Sequence, residues 1–305
     1  MFQRILVCSD GSAGAVDAAA SAASIALSFG SEVVALNVFH MAYADPANIG
    51  VWAITVDPDV IRRCADEERE VVEPTLMPIF KKLGIPCRFI QEAGHEAEVD
   101  AILRVADREK VDLIVLGSRG MRGIKELLLG SVSSGVLNHA TCPVLIVRGE
   151  NAPCGTDRFD NILLVSDGSP CAQSAAKVAV EIARKFAITL TALNVYEDLS
   201  SASLPGDEDK LIGDPDPVLY AKQWMEYVAQ PIRELAAAAH VDCAFAQEGG
   251  RPDETIVDFA NQHDVDLIVI GSRGLGGYSR LLIGSVSNRV VHHSNCPVLV
   301  VRSTK

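Results

Sequence analysis

No apolar run in this chain approaches the ~20 residues that span a bilayer, so no transmembrane helix and no membrane partner are expected. No basic stretch exists either. Residues 1–150 carry 14 Lys and Arg against 20 Asp and Glu, and residues 151–305 carry 13 against 20, for a net charge of −13. A phosphate backbone needs the opposite sign, which excludes nucleic acid as a partner. Proline is scarce, at 14 residues, and 49% of the chain is hydrophobic, so it is neither disordered nor collagen-like. The eight cysteines contain no C-x-x-C pair, which removes a zinc knuckle and a thioredoxin-type motif. The start, MFQRILVCSD, is a strand-like apolar run without a signal-peptide h-region or a small-residue cleavage site. A cytoplasmic protein with reduced thiols is expected, Cys8, Cys142 and Cys296 being buried.

What the chain does have is itself, twice. Its 305 residues already suggest two domains. FQRILVCSDGS at 2–12 recurs as FDNILLVSDGS at 159–169, and ALNVFH at 35–40 as ALNVYE at 192–197. VDLIVLGSRG at 111–120 recurs as VDLIVIGSRG at 265–274. LLLGSVSSGVLNHATCPVLIVR at 127–148 recurs as LLIGSVSNRVVHHSNCPVLVVR at 281–302, with 14 of 22 positions identical. The period is domain-sized, so this is a tandem duplication and not a solenoid. The expected division is 1–148, a polar linker at 149–158 (GENAPCGTDR), and 159–305.

Each copy alternates strand and helix. In the first, ILVC is a strand, SAGAVDAAASAASIALSF an Ala-rich helix, and EVVALNVF a strand. Asp59 to Leu83 is a longer helix, which Pro74 and Pro78 are expected to kink or break. CRFIQE, DLIVLG and PVLIVR complete five strands, with EVDAILRVADRE and SVSSGVLNH as helices between them. The near-continuous Ile/Leu/Val runs suit parallel strands covered on both faces. The expected class is α/β: two tandem open five-stranded parallel-sheet sandwiches with right-handed crossovers.

Ligands of such sheets bind beyond the carboxyl ends of the strands, where the strand order reverses. Two segments recur there. One is Ser9-Asp10-Gly11-Ser12, repeated as Ser166-Asp167-Gly168-Ser169. The other has the spacing G-x2-G-x9-G-S, at Gly117, Gly120, Gly130 and Ser131, and again at Gly271, Gly274, Gly284 and Ser285. Glycine permits positive φ and lets backbone approach a ligand. The final Gly-Ser opens a helix whose free N–H groups suit a phosphate, with Ser131, Ser133, Ser285 and Ser287 as hydroxyl donors. Asp10 and Asp167 suit a ribose hydroxyl or a cation. Read blandly, such glycines are turn punctuation and such serines N-caps. Arg119 and Arg273 are either phosphate contacts or surface residues. His139 and His293 read as packing or C-terminal capping groups. The stretches 45–59 and 207–217 read as solvated loops, with lids or partner sites as the alternative.

On these residues the chain resembles the universal stress protein family, in its tandem two-domain form, over nearly its whole length. G-x2-G-x9-G-[ST] marks that family's ATP-binding branch. The resemblance implies strand order 3-2-1-4-5, an adenine nucleotide alpha hydrolase-like fold, with ATP over the switch point. By residue match, Asp10 and Asp167 would contact the ribose or adenine side and Val38 and Val195 would offer backbone to adenine. Gly117, Arg119, Gly120, Gly130, Ser131, Val132 and Ser133 would hold the phosphates in the first copy. Gly271, Arg273, Gly274, Gly284, Ser285, Val286 and Ser287 would do so in the second. Mg²⁺ is a candidate contact of the two aspartates. The resemblance also implies pairing through the fifth strands, internal in a tandem chain, with a homodimer left open. The second copy reads LGGYSRLLIGS after Gly274, close to the family pattern, whereas the first reads MRGIKELLLGS with Arg122 and Glu126 for Gly276 and Arg280. Tighter binding in the second copy is therefore expected, although Lys125 offsets Glu126 in part.

The function this suggests is nucleotide-dependent regulation of a stress response. A Walker A lysine is absent, and no base, nucleophile or orienting pair repeats around the loop, so no catalytic residue is assigned. A slow ATPase or nucleotidyl- or phosphoryl-transfer enzyme is the alternative, and a nucleotide-free interaction scaffold the third reading.

Overall fold

A computed structural model describes residues 1–40, 58–94, 96–118, 120, 129–148, 159–196, 217–275 and 283–303. The chain divides into two compact units, Met1–Arg158 and Phe159–Lys305. The first runs β1 (Arg4–Cys8), α1 (Ala13–Phe29), β2 (Glu32–His40), α2 (Pro58–Lys82) and β3 (Cys87–Gly94). It continues through α3 (Glu98–Arg108), β4 (Leu113–Gly117), α4 (Ser131–His139) and β5 (Val144–Val147). The second unit repeats the series as β6 (Ile162–Val165), α5 (Pro170–Phe186), β7 (Leu190–Tyr196), α6 (Pro217–Ala238) and β8 (Cys243–Gly249). Its remaining elements are α7 (Pro252–Gln262), β9 (Leu267–Gly271), α8 (Ser285–His293) and β10 (Val298–Val301).

Within the first unit the strands lie in the order β3-β2-β1-β4-β5, all parallel. Within the second the order is β8-β7-β6-β9-β10, again parallel. Both are 3-2-1-4-5, as expected, so the direction of strand succession reverses between the first and fourth strands of each unit. The central strands are buried along nearly their full length because helices cover both faces. Equivalent aromatic pairs close each core edge-to-face, Phe2 on Phe29 at 5.2 Å and Phe159 on Phe186 at 5.7 Å.

At the amino ends an aspartate joins the first and fourth strands. Asp112 accepts from the N–H groups of Gln3 (2.7 Å) and Arg4 (3.2 Å), and Asp266 from those of Asp160 (2.7 Å) and Asn161 (3.1 Å). Burial nevertheless pushes the Asp266 carboxyl up to about 6.

Two expectations change. Helix α2 passes through Pro74 and Pro78 without ending. Val72, Leu76 and Phe80 are buried on either side of them, so packing of one continuous face offsets the missing N–H donors. Cys8 and Cys296 are buried, but Cys142 is only half-buried. Burial drives the Cys8 thiol far up its range and that of Cys296 to about 11, so both are poor nucleophiles. Among the described residues no helix is long and apolar enough to cross a membrane.

Candidate functional site at the strand carboxyl ends

The turn after β1 is built by its own polar side chains. Gly11 and Gly168 take φ of +83° and +80°, which only glycine adopts without strain. The Ser9 hydroxyl accepts from Gly11 N–H at 3.1 Å, and Ser166 does the same for Gly168 at 3.3 Å. Asp10 Oδ1 accepts from Ser12 N–H and Asp167 Oδ1 from Ser169 N–H, both at 3.0 Å. Ser12 and Ser169 then cap α1 and α5, accepting from Ala15 N–H (3.3 Å) and Ala172 N–H (3.2 Å).

The glycines after the fourth strand serve different ends from one another. None of the six motif glycines has positive φ, so of the two freedoms glycine offers, close approach is the one used here. A Cβ on Gly117 would lie 2.7 Å from the Gly14 carbonyl oxygen, and one on Gly271 would lie 2.8 Å from Ala172 N. These two let the first helix of each unit press against the strand end. A Cβ on Gly120 would strike the Asp10 carboxylate, and one on Gly274 would lie 2.5 Å from Asp167 Oδ2. That same oxygen accepts from Leu275 N–H at 3.1 Å. The aspartate thus meets the start of the glycine loop, which joins the two recurrent segments into one site.

The loop returns to where it left. Gly130 N–H donates to the Ser118 carbonyl at 2.9 Å, and Gly284 N–H to that of Ser272 at 2.7 Å. Gly130 and Gly284 are the N-caps of α4 and α8, with no side-chain cap and no acidic residue in the first turn. A glycine N-cap supplies no side chain to the N–H groups that open either helix, and such a helix start suits an anion. Ser131 and Ser285 are exposed at this end, with Val132 and Val286 half-buried behind them. Ser133 and Ser287 are buried instead, their hydroxyls donating to Gly117 (2.8 Å) and Gly271 (2.7 Å) carbonyls. Those two hydroxyl hydrogens fasten helix to strand, which leaves Ser131 and Ser285 as the hydroxyl donors facing outward.

Val38 and Val195 lie past the last paired residues of β2 with β1 and of β7 with β6. The last β1–β2 pair is Cys8 with Leu36, and Ser9 N–H donates to the Leu36 carbonyl at 2.9 Å. Strand alternation turns the peptide groups of Val38 to the same side, beyond the point where β1 has turned away. Val195 stands likewise past Leu193, which accepts from Ser166 N–H at 3.0 Å. Arg273 is half-buried, its Cα 3.4 Å from the Cβ position of Gly284, so its stem runs beside the N-cap of α8. Arg119 lies outside the described residues, as do Arg122, Lys125, Glu126, Gly276 and Arg280, on which the expected difference in affinity rests. The stretches 45–59 and 207–217 lie outside them too, apart from Pro58 and Asp59, which open α2, and Pro217, which opens α6, so those three are helical and not loop.

Sequence reasoning missed the buried amides. Asn37 Nδ2 donates to the Ser9 carbonyl (3.1 Å) and to Glu68 Oε1 (2.8 Å), and its Oδ1 accepts from Gln91 (3.0 Å). Asn194 donates to the Ser166 carbonyl (2.9 Å) and accepts from Gln247 (3.3 Å). These amides tie the carboxyl ends of three strands together and hold the Asp-bearing turn. Their signal was the Asn inside the apolar ALNV, present in both copies. His139 Nδ1 lies 2.8 Å from the Gly135 carbonyl on its own helix, at the other end of α4 from the site. Among the described residues no group of three His, Cys, Asp or Glu side chains is arranged to hold a metal.

Comparison with known proteins agrees with this geometry at the level of family. The model of the "Universal stress protein family" matches residues 1–148 and again 158–302. A universal stress protein of Mycolicibacterium smegmatis is 30% identical over 246 residues, covering 79% of each chain. One of Mycobacterium tuberculosis is 26% identical over 284 residues, covering 89% of this chain and 88% of its own. Among solved structures, a universal stress protein from Archaeoglobus fulgidus superposes with a TM-score of 0.68 at 23% identity, over 99% of this chain and 98% of its own.

Proposed function

Because the chain belongs to the universal stress protein family, with one family domain in each half, we propose that it binds ATP in both and that occupancy regulates its part in a stress response. One observation carries the reading: in each unit a helix that opens on a glycine N-cap, a glycine whose missing Cβ makes room for an aspartate, and that aspartate converge at the switch point of a 3-2-1-4-5 sheet. Phosphates fit the N–H groups opening α4 and α8, with Ser131 and Ser285 as hydroxyl donors and Arg273 supplying positive charge beside α8. Asp10 and Asp167 would accept from ribose hydroxyls, and the peptide groups of Val38 and Val195 would meet the edge of adenine. Mg²⁺, if it accompanies the phosphates, would neutralise their charge; the aspartates already accept backbone N–H groups. Each unit would then hold a ligand, which suits a sensor whose bound state is its signal.

The test is to denature the purified protein and to identify and count the nucleotide released. About two ATP per chain are expected from two complete sites. ADP in their place would favour the slow ATPase. A protein that comes empty and takes up no ATP on titration would overturn the reading in favour of a scaffold.

A further inference from the structure

The two units are not equal where the second helix meets the site. Val72 Cγ2 lies 3.3 Å from the Cβ position of Gly11, and Val228 Cγ2 lies 3.3 Å from that of Gly168. This matches α2 to α6 residue by residue, and the same offset carries Cys87 at the start of β3 onto Cys243 at the start of β8. In that register Trp224 takes the place of Glu68, and Tyr227 the place of Val71. The exchange changes the chemistry beside the turn. In the first unit Glu68 brings a carboxylate onto the Asn37 amide. In the second an indole and a phenol stand on the same face, their ring centroids 5.3 Å apart and their planes tilted by 30°. Tyr227 Cε1 lies 3.5 Å from the Cβ position of Gly168, one residue past Asp167, yet the side chain is 62% exposed. Tyr196, the residue after Val195, is a further part-exposed aromatic at this end of the sheet.

We propose that Trp224 and Tyr227 form a stacking wall for the nucleobase in the second unit, which Glu68 and Val71 at the equivalent positions do not provide in the first, so that the two sites of one chain bind nucleotide unequally. The inference rests on the nucleotide reading above and adds to it the residues that distinguish the sites. An exposed aromatic face gains by stacking on any planar base, because every base has a π-face. A carboxylate in the same place offers no such face and repels a polyphosphate. The wall therefore strengthens binding in the second unit while discriminating little among bases.

The full chain contains two tryptophans, so Trp52→Phe leaves Trp224 as the sole indole reporter. In that variant ATP is titrated while fluorescence is read, bound ATP is counted by equilibrium dialysis, and tripolyphosphate serves as the base-free probe. ATP is expected to quench Trp224, with saturation at the tighter of two bound equivalents, and tripolyphosphate is expected not to. Trp224→Ala and Tyr227→Ala should each weaken that equivalent roughly tenfold and leave the other unchanged. Trp224→Phe, which keeps a ring and the packing, should recover most of the loss. Two equivalents bound with both affinities unchanged in the alanine variants would overturn the wall and leave the nucleotide reading standing. No ATP bound by the unmodified chain would remove that reading and the wall with it.

Discussion

Glycines that look alike in the motif differ in what their missing side chains make room for. Gly117 and Gly271 face the backbone of α1 and α5, which cannot yield without moving a helix. Gly117→Ala is expected to cost about 1–3 kcal/mol and lower the thermal midpoint by several degrees. Among the described residues Gly274 faces the Asp167 carboxylate alone. Gly274→Ala should melt nearer the wild-type temperature yet lose the nucleotide of the second unit, because it displaces the carboxylate from its bond to Leu275 N–H. Melting curves set beside a nucleotide count test both, and a reversed ranking would refute this division of labour. Asp266 supplies a pH test on stability. Its carboxyl, raised by burial to about 6, lies above the ~3.9 of an unfolded aspartate. The folded state then holds more protons between about pH 4 and 6, and this residue's contribution to stability falls as pH rises through that window. Asp266→Asn should flatten that part of the stability–pH curve relative to wild type; an identical slope would acquit Asp266. The sequence placed these glycines and aspartates, but the partner of each lies tens of residues or more away in the chain, so local pattern could not say which glycine serves packing.

Helices α4 and α8 begin on glycine where Ser, Asp or Asn would cap better by side chain. Gly284→Asp separates the helix's own stability from its use. An aspartate cap changes helix stability by only a few tenths of a kcal/mol relative to glycine, and among the described residues the Cβ position meets nothing nearer than 3.4 Å. The new carboxylate would nevertheless stand where a phosphate belongs. The expected result is an unchanged or slightly raised thermal midpoint with one ATP equivalent lost. Retention of both equivalents would show that the α8 N-terminus does not hold phosphate. At this scale most of the fold was legible. Apolar runs bounded by SDGS and GSRG read as strands, and the Ala-rich stretch after them as a helix. The continuity of α2 was not, since proline propensity is local while the burial of Val72, Leu76 and Phe80 that outweighs it is tertiary.

Across the whole molecule, duplication has kept two copies of one frame and let their linings diverge. Asp10 accepts from Ser12 N–H, and Asp167 from the N–H groups of Ser169 and Leu275, each in its own unit, so their substitutions are expected to act independently. Asp10→Ala and Asp167→Ala are each expected to remove or weaken one of two ATP equivalents, and together both. Loss of both equivalents from either single variant would mean that the sites are coupled. The sequence by itself determined the repeat, the succession of strands and helices, the acidic surface and the positions of the loops, because these follow from composition and from periods of a few residues. Only the tertiary structure decided that Ser133 and Ser287 fasten helix to strand, that Asn37 and Asn194 hold the turn, and that Trp224 takes the register position of Glu68. Each of those rests on a contact between elements remote in sequence, and which residues meet is settled by how sheet and helices pack.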